Sequence, residues 1–249
     1  MKHEERMQLA RDLCARMVAS HTDGIILGGV YGSTAHGTDT NWSDLELLFV
    51  VRDGSKIVEN HFIYCDIAVG YQVIEQQKVE ELLANPSLEW PFWMGVLSVL
   101  KVLHGNPEQI KAWLQLGQSI PAEKFRQTLE ASLPELIIES YGRILSCRER
   151  YNKQDIGCAV IEVLFEMNQA LCLLNQRWVT HDYYQGFVDA FSFPKLPEGY
   201  KDLVPALWSA KNIDDIVPLS KTLVCNFWQL LTDEGVKVTN YQTVDDLLL

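Results

Sequence analysis

Gly29-Val30-Tyr31-Gly32-Ser33, followed after a ten-residue spacer by Asp44-Leu45-Glu46, is the stretch that decides how this chain reads. Ile25 to Tyr31 is apolar and rich in β-branched residues, the pattern of a strand, so Gly32-Ser33 falls at the turn after it and leads into a short helix. Glycine permits close backbone approach, the serine hydroxyl can donate, and the free N–H groups of a helix start favour phosphate. Alone, a strand followed by Gly-Ser is a weak motif. Asp44 and Glu46 sharpen it. Side chains alternate along a strand, so the two carboxylates share one face while Leu45, Leu47 and Phe49 point to the core. Carboxylates side by side repel one another, and a divalent cation removes the repulsion. A solvated acidic strand face is the plain alternative.

Working outward, a third acid, Asp66, sits in the otherwise apolar run Phe62 to Val69. A lone carboxylate in a half-buried strand is costly unless it is paired or bound to metal. If that strand neighbours Asp44-Leu45-Glu46, three oxygen ligands converge, which suits Mg²⁺. The turn signal Arg52-Asp53-Gly54-Ser55 predicts an antiparallel hairpin between Leu45–Val51 and Phe62–Ile74. An amphipathic helix over Glu5–Ser20 precedes these strands. After about Gln76 the periodicity becomes helical, and from about Ala122 onward nearly everything reads as helix, with Pro134 marking a start or a kink. The expected class is α+β. An N-terminal domain over residues 1–121, with a small mixed sheet and helices, is followed by a helical domain over 122–249.

The bulk properties narrow the chemistry. With 249 residues and 47% apolar composition the chain can bury a sizeable core. A net charge of −12 repels nucleic-acid backbones and attracts cations, so no nucleic-acid partner is expected. The opening Met1-Lys2-His3-Glu4-Glu5-Arg6 lacks the layout of an export signal. Glu162, Glu166, Asn168 and Gln169 make Ile156 to Leu174 a buried helix rather than a membrane span. Six cysteines without C-x-x-C spacing argue against zinc and read as reduced core thiols, in keeping with a cytoplasmic protein.

These elements resemble the nucleotidyltransferase superfamily that includes DNA polymerase β, whose pattern is Gly-Ser, a spacer, Asp-x-Asp/Glu and a later acid. The chain is more specifically similar to the aminoglycoside 4′-O-nucleotidyltransferases of the kanamycin nucleotidyltransferase type. Matching stretches are Glu4-Glu5-Arg6-Met7, Val30-Tyr31-Gly32-Ser33, Ser43-Asp44-Leu45-Glu46, Trp90-Pro91, Leu196-Pro197-x-Gly199-Tyr200 and Asn226-Phe227-Trp228. The resemblance implies Mg²⁺-dependent transfer of a nucleoside monophosphate from ATP or another nucleoside triphosphate to the 4′-hydroxyl of an aminoglycoside antibiotic. Pyrophosphate leaves, and the enzyme is a homodimer with shared active sites. Asp44, Glu46 and Asp66 then hold metal, and Gly32 and Ser33 hold the outer phosphates.

Glu135, Glu139 and Arg143 are spaced at i, i+4 and i+8 on one helical face. By resemblance Glu139 is the general base, Glu135 helps hold the acceptor, and Arg143 stands where the family has a phosphate-contacting Lys. The Arg-x-x-Thr pair Arg177 and Thr180 matches a nucleotide-contacting segment. Glu59 and Glu89 are further acids for ammonium groups of the acceptor, and Asp66 lies within the same acidic set. His36 and His104 read as surface histidines in loops. Trp90, Phe92 and Trp93 read as interface or core, and the apolar run Trp90 to Leu103 predicts a dimer surface. Two rival readings are a superfamily enzyme with a protein or nucleic-acid acceptor, and a non-catalytic binding module on the same fold.

Overall fold

The computed structural model describes residues 1–22 and 24–246. The chain divides into two compact units, Met1–Pro121 with Trp178–Asp189, and Ala122–Arg177 with Ala190–Leu249. Returning residues 178–189 to the first unit departs from the single expected boundary, and specific contacts account for it. The Trp178 indole donates to Ser98 Oγ at 3.0 Å, and the ring packs edge-on to Trp90 at 6.0 Å. Gly95 leaves room for the Val179 carbonyl, which any Cβ there would strike.

In the first unit, α1 (His3–Ser20) leads to β1 (Ile25–Val30), α2 (Gly32–His36) and β2 (Leu45–Val51). Then come β3 (Asn60–Tyr64), β4 (Ile67–Glu75), α3 (Gln76–Ala84), α4 (Trp90–Val99), β5 (Lys101–His104) and α5 (Glu108–Gln118). Among the described residues five strands form one mixed sheet in the order β3-β4-β2-β1-β5. Leu45, Leu47 and Phe49 pack with Ala10 and Cys14 of α1, as alternation requires. Leu48 and Val50 are buried as well, because α3 covers the opposite face.

The expected hairpin is corrected. β2 pairs with β4 in parallel, with Glu46 opposite Gly70, and the hairpin is β3–β4. Its turn is Cys65-Asp66, with φ of 47° and 63°, the left-handed pair that a tight two-residue hairpin needs. The Arg52–Ser55 turn is tied instead to the start of α3: Asp53 accepts from the Gln77 N–H and Glu75 from the Gly54 N–H, both at 2.9 Å. In the run Trp90 to Leu103, Trp90, Met94, Val96 and Leu97 are core residues of their own unit, while Phe92 is half exposed and Trp93, Val99 and Leu100 are half-buried.

The second unit is helical: α6 (Ala122–Leu133), α7 (Ser140–Glu149), α8 (Ile156–Asn175), α10 (Tyr200–Ser209) and α11 (Ile213–Asp233), with α9 (Tyr183–Ala190) on the returning segment. Between α6 and α7 the chain forms a π-helical turn over Pro134–Glu139. Proline lacks an N–H and crowds the preceding turn, so the helix widens there rather than continuing smoothly. By length and composition α8 could cross a membrane, but it is mostly buried and packs against α6, α7, α10 and α11.

Among the described residues one buried cation, Arg6, ties the first unit together. Arg6 has no exposed surface and pairs with Asp39, and it also donates to the carbonyls of Thr40 at 2.8 Å and Ser43 at 2.9 Å. His3 Nδ1 bonds the other Asp39 oxygen at 2.6 Å. Arg6→Met strands Asp39 without its cation and should cost about 3–5 kcal/mol in urea unfolding. Arg126→Ala, which breaks an exposed pair with Glu123, should stay within about 0.5 kcal/mol of wild type.

Candidate active site

β1 delivers Tyr31 in extended conformation, and its N–H continues the ladder to the Glu46 carbonyl at 3.1 Å. Gly32 follows at φ +66°, and a Cβ there would overlap the Glu46 carboxylate. Glycine is therefore required twice, by backbone conformation and by the acid lying against it. Asp44 is the last residue before β2 and belongs to the stretch that Arg6 fixes through Asp39, Thr40 and Ser43. Asp44 is exposed and Glu46 half-buried.

Glu46 carries the site's electrostatic signature. Its carboxyl is pushed up to about 7, first by burial, then by the charge of Asp44 and then by that of Asp182, while a hydrogen bond from Tyr31 pulls the other way. The Tyr31 hydroxyl is in turn raised by burial and by the neighbouring Glu46, Asp44 and Asp182. Among the described residues, the groups acting on Glu46 are Asp44, Asp182 and Tyr31, none of them basic. The pair is thus an excess of negative charge built from oxygen donors, which fits Mg²⁺ better than a softer metal. Among the described residues no group of three or more His, Cys, Asp or Glu side chains is placed to enclose an ion. A cation on Asp44 and Glu46 would draw its remaining ligands from water and substrate phosphate.

The sequence reading of Asp66 is corrected. It lies exposed at the tip of the β3–β4 turn rather than in a half-buried strand. The β4 residue beside Glu46 is Gly70, over which the His61 ring packs. Glu59, before β3, and Glu89, at the start of α4, are exposed. Neither they nor Asp66 are among the charges acting on Glu46. The acid that sequence reasoning missed is Asp182, brought near by the returning segment. Its only signal was its place two residues after Thr180.

Thr180 is held by Asp189, which accepts from the Thr180 N–H at 3.0 Å and from its hydroxyl at 3.3 Å. His36, at the end of α2, bonds the Thr180 carbonyl through Nε2 at 2.9 Å, so it is half-buried and engaged rather than a free surface histidine. His104 ends β5 and is half-buried.

The remaining residues belong to the helical unit. Glu135 and Glu139 are exposed on the π-helical turn. Arg143 pairs with Glu139 at 2.6 Å and also with Glu162 of α8. The Glu139–Arg143 pair seen from spacing is present, and Glu162 is an added partner. Arg177 is exposed just past α8, after Gln176 in the left-handed conformation.

Two relatives are similar over nearly the whole chain. A protein from Bacillus sp. named aminoglycoside nucleotidyltransferase (4′) is 21% identical over 234 residues, 92% of this chain and 89% of the relative. A protein of the same name from Staphylococcus aureus is 20% identical over the same shares. The crystal structure of a nucleotidyltransferase-like protein from Exiguobacterium sibiricum 255-15 matches with a TM-score of 0.50 at 14% identity, covering 92% of this chain and 75% of that one. No family model matches. The chain has an α+β nucleotidyltransferase-like fold, and the names of its relatives support an enzyme of nucleotidyl transfer.

The carboxyl of Glu46 rises from an ordinary 4.5 to about 7, so the metal-free native state holds this proton more tightly than the unfolded chain. Its contribution to stability is therefore complete below about 4.5 and lost as pH climbs through about 7. Glu46→Gln cannot ionise. Thermal midpoints in EDTA should show the variant gaining on wild type between pH 5 and pH 8, and a pH-independent difference would refute the assignment.

Proposed function

We propose that this chain transfers a nucleoside monophosphate from ATP or another nucleoside triphosphate to the 4′-hydroxyl of an aminoglycoside, releasing pyrophosphate and conferring resistance. The observation that carries the reading is the Glu46 carboxylate pressed against Gly32 and crowded by the charges of Asp44 and Asp182. Similarity to two full-length relatives named for this activity supports the acceptor. A protein or nucleic-acid acceptor has no feature in its favour, and the −12 net charge disfavours the latter.

In this mechanism Asp44 and Glu46 would hold Mg²⁺, which when bound polarises the α-phosphate and offsets its developing charge. Ser33 and the backbone at Gly32 orient the outer phosphates, and Thr180 and Arg177 steady the nucleotide. Glu139 accepts the proton of the attacking hydroxyl. Arg143 orients that carboxylate through their ion pair and would reach phosphate only by releasing Glu139 or Glu162. Glu135, Glu59 and Glu89 are the acids offered to acceptor ammonium groups, and the overall negative field draws such cations in. Asp66, exposed on its turn, is kept as an acceptor contact rather than a metal ligand.

The proposed working form is a cytoplasmic homodimer in which Glu139 of one protomer serves Asp44 and Glu46 of its partner. Asp44→Asn should lose at least a thousandfold in transfer while keeping its fold, and Glu139→Gln should be similarly impaired. Mixed after verified subunit exchange, the two should recover part of the wild-type rate, because each heterodimer holds one intact site. A proven heterodimer without activity would exclude shared sites. Mass spectrometry should place the nucleotidyl group on the 4′-oxygen, and an aminoglycoside lacking that hydroxyl should not be modified at a comparable rate.

A further inference from the structure

The returning segment carries a histidine that the mechanism above does not use. His181 Nδ1 lies 2.9 Å from an oxygen of Asp189, so this nitrogen donates and Nε2 is the ring atom left to face other chemistry. The same carboxylate accepts from the His181 N–H at 3.2 Å and the Thr180 N–H at 3.0 Å, which fixes backbone and ring together. Burial works against the Asp189 charge, but the hydrogen bonds from Thr180 and His181 hold its carboxyl below the ordinary range.

The His181 ring stacks on His36, with centroids 4.2 Å apart and planes 21° from parallel. His36 is the last residue of α2, the helix that begins at Gly32 and Ser33, and it is tied to the Thr180 carbonyl. The next residue after His181 is Asp182, whose charge reaches both Glu46 and Tyr31. The stack on His36, at the end of the helix that begins at Gly32, places an oriented imidazole beside the phosphate-holding turn, one residue before Asp182. An acid–base ring fixed by a carboxylate through one nitrogen is the arrangement used to move a proton at the other.

We propose that His181, held by Asp189 and stacked on His36, is the proton donor to the departing pyrophosphate, an assignment that rests on the nucleotidyl-transfer reading above. As the acceptor oxygen bonds to the α-phosphorus, the bond from that phosphorus to the bridging oxygen breaks and its electron pair stays on pyrophosphate. The imidazolium of His181 gives its Nε2 proton to the leaving pyrophosphate and becomes neutral imidazole. The acceptor hydroxyl gives its proton to Glu139. After release Glu139 gives its proton to solvent and His181 takes one up from it, which restores both groups.

The test measures single-turnover transfer from ATP and from β,γ-methylene and β,γ-difluoromethylene analogues, whose leaving groups are respectively more and less basic than pyrophosphate. His181→Asn keeps an amide where Nδ1 meets Asp189 but has nothing at Nε2. His181→Gln places an amide near Nε2 that can hydrogen-bond but not surrender a proton. Both should retain the wild-type thermal midpoint within a few degrees and slow transfer from ATP about a hundredfold. The defect should deepen with the methylene analogue and shrink with the difluoromethylene one. Equal slowing with all three triphosphates, or no slowing, overturns the donor role while leaving the transfer reading intact. Absence of transfer by wild type from any nucleoside triphosphate to any aminoglycoside overturns both. If either variant unfolds, the other carries the comparison, and imidazole rescue of His181→Ala with the same leaving-group dependence serves as the independent check.

Discussion

A guanidinium with no access to water holds the first unit in its working shape. Arg6 projects from the first turn of α1 and gathers Asp39 and the carbonyls of Thr40 and Ser43, the residues that immediately precede Asp44. Enclosing such an ion is expensive, and its Nε remains without a hydrogen-bond partner, so the arrangement is not there for stability alone. Its return is geometric. A planar fork can bind a carboxylate and two carbonyls at fixed angles, which a lysine ammonium cannot match. The loop between α2 and β2 could otherwise sample many conformations, and Asp44 would move with it. The match at Glu4-Glu5-Arg6-Met7, remote from any chemistry in the sequence, is explained by this clamp.

With Asp44 fixed, the second constraint is crowding. Glu46 lies against Gly32 and is surrounded by acids rather than by a compensating base, and burial compounds the cost of its charge. Such an arrangement weakens the metal-free fold and is the usual mark of a functional site, since selection for stability alone would remove it. The same crowding explains why Gly32 opens the turn: no side chain fits there beside the Glu46 carboxylate.

What could be read from sequence was whatever local periodicity and close spacing determine. The Leu45-Leu47-Phe49 alternation and the i, i+2 placement of Asp44 and Glu46 follow from strand geometry alone. Asp66 could not be placed that way. The Cys65-Asp66 turn lacks the Asn-Gly or Asp-Gly signature that normally marks a tight hairpin, so two strands looked like one long strand and the acid appeared half-buried. Parallel pairing of β2 with β4 is likewise invisible locally, because the register depends on a crossover through β3. β5, at Lys101–His104, is too short to show a period. Asp182 and His181 were hidden for another reason: their importance comes entirely from the tertiary return of 178–189.

That return changes what the first unit contains. A chain cut only near residue 121 would leave a first unit lacking Asp182 and the His181–Asp189 pair, even though every residue of the Gly-Ser and Asp-x-Glu motifs was present. Instead the chain passes between the units three times, after Pro121, Arg177 and Asp189. The hydrogen bond from Trp178 to Ser98 and the close approach of Val179 to Gly95 secure one end of the excursion, while Asp189 secures the other by gathering Thr180 and His181. The irregular stretch of residues 178–182 that leads into α9 is thereby given a defined conformation by a few side chains. Acid placement in this protein consequently rests on long-range contacts as much as on the strand motif, and a motif search restricted to the N-terminal half would recover Gly32-Ser33 and Asp44-Leu45-Glu46 but not Asp182, whose charge acts on Glu46.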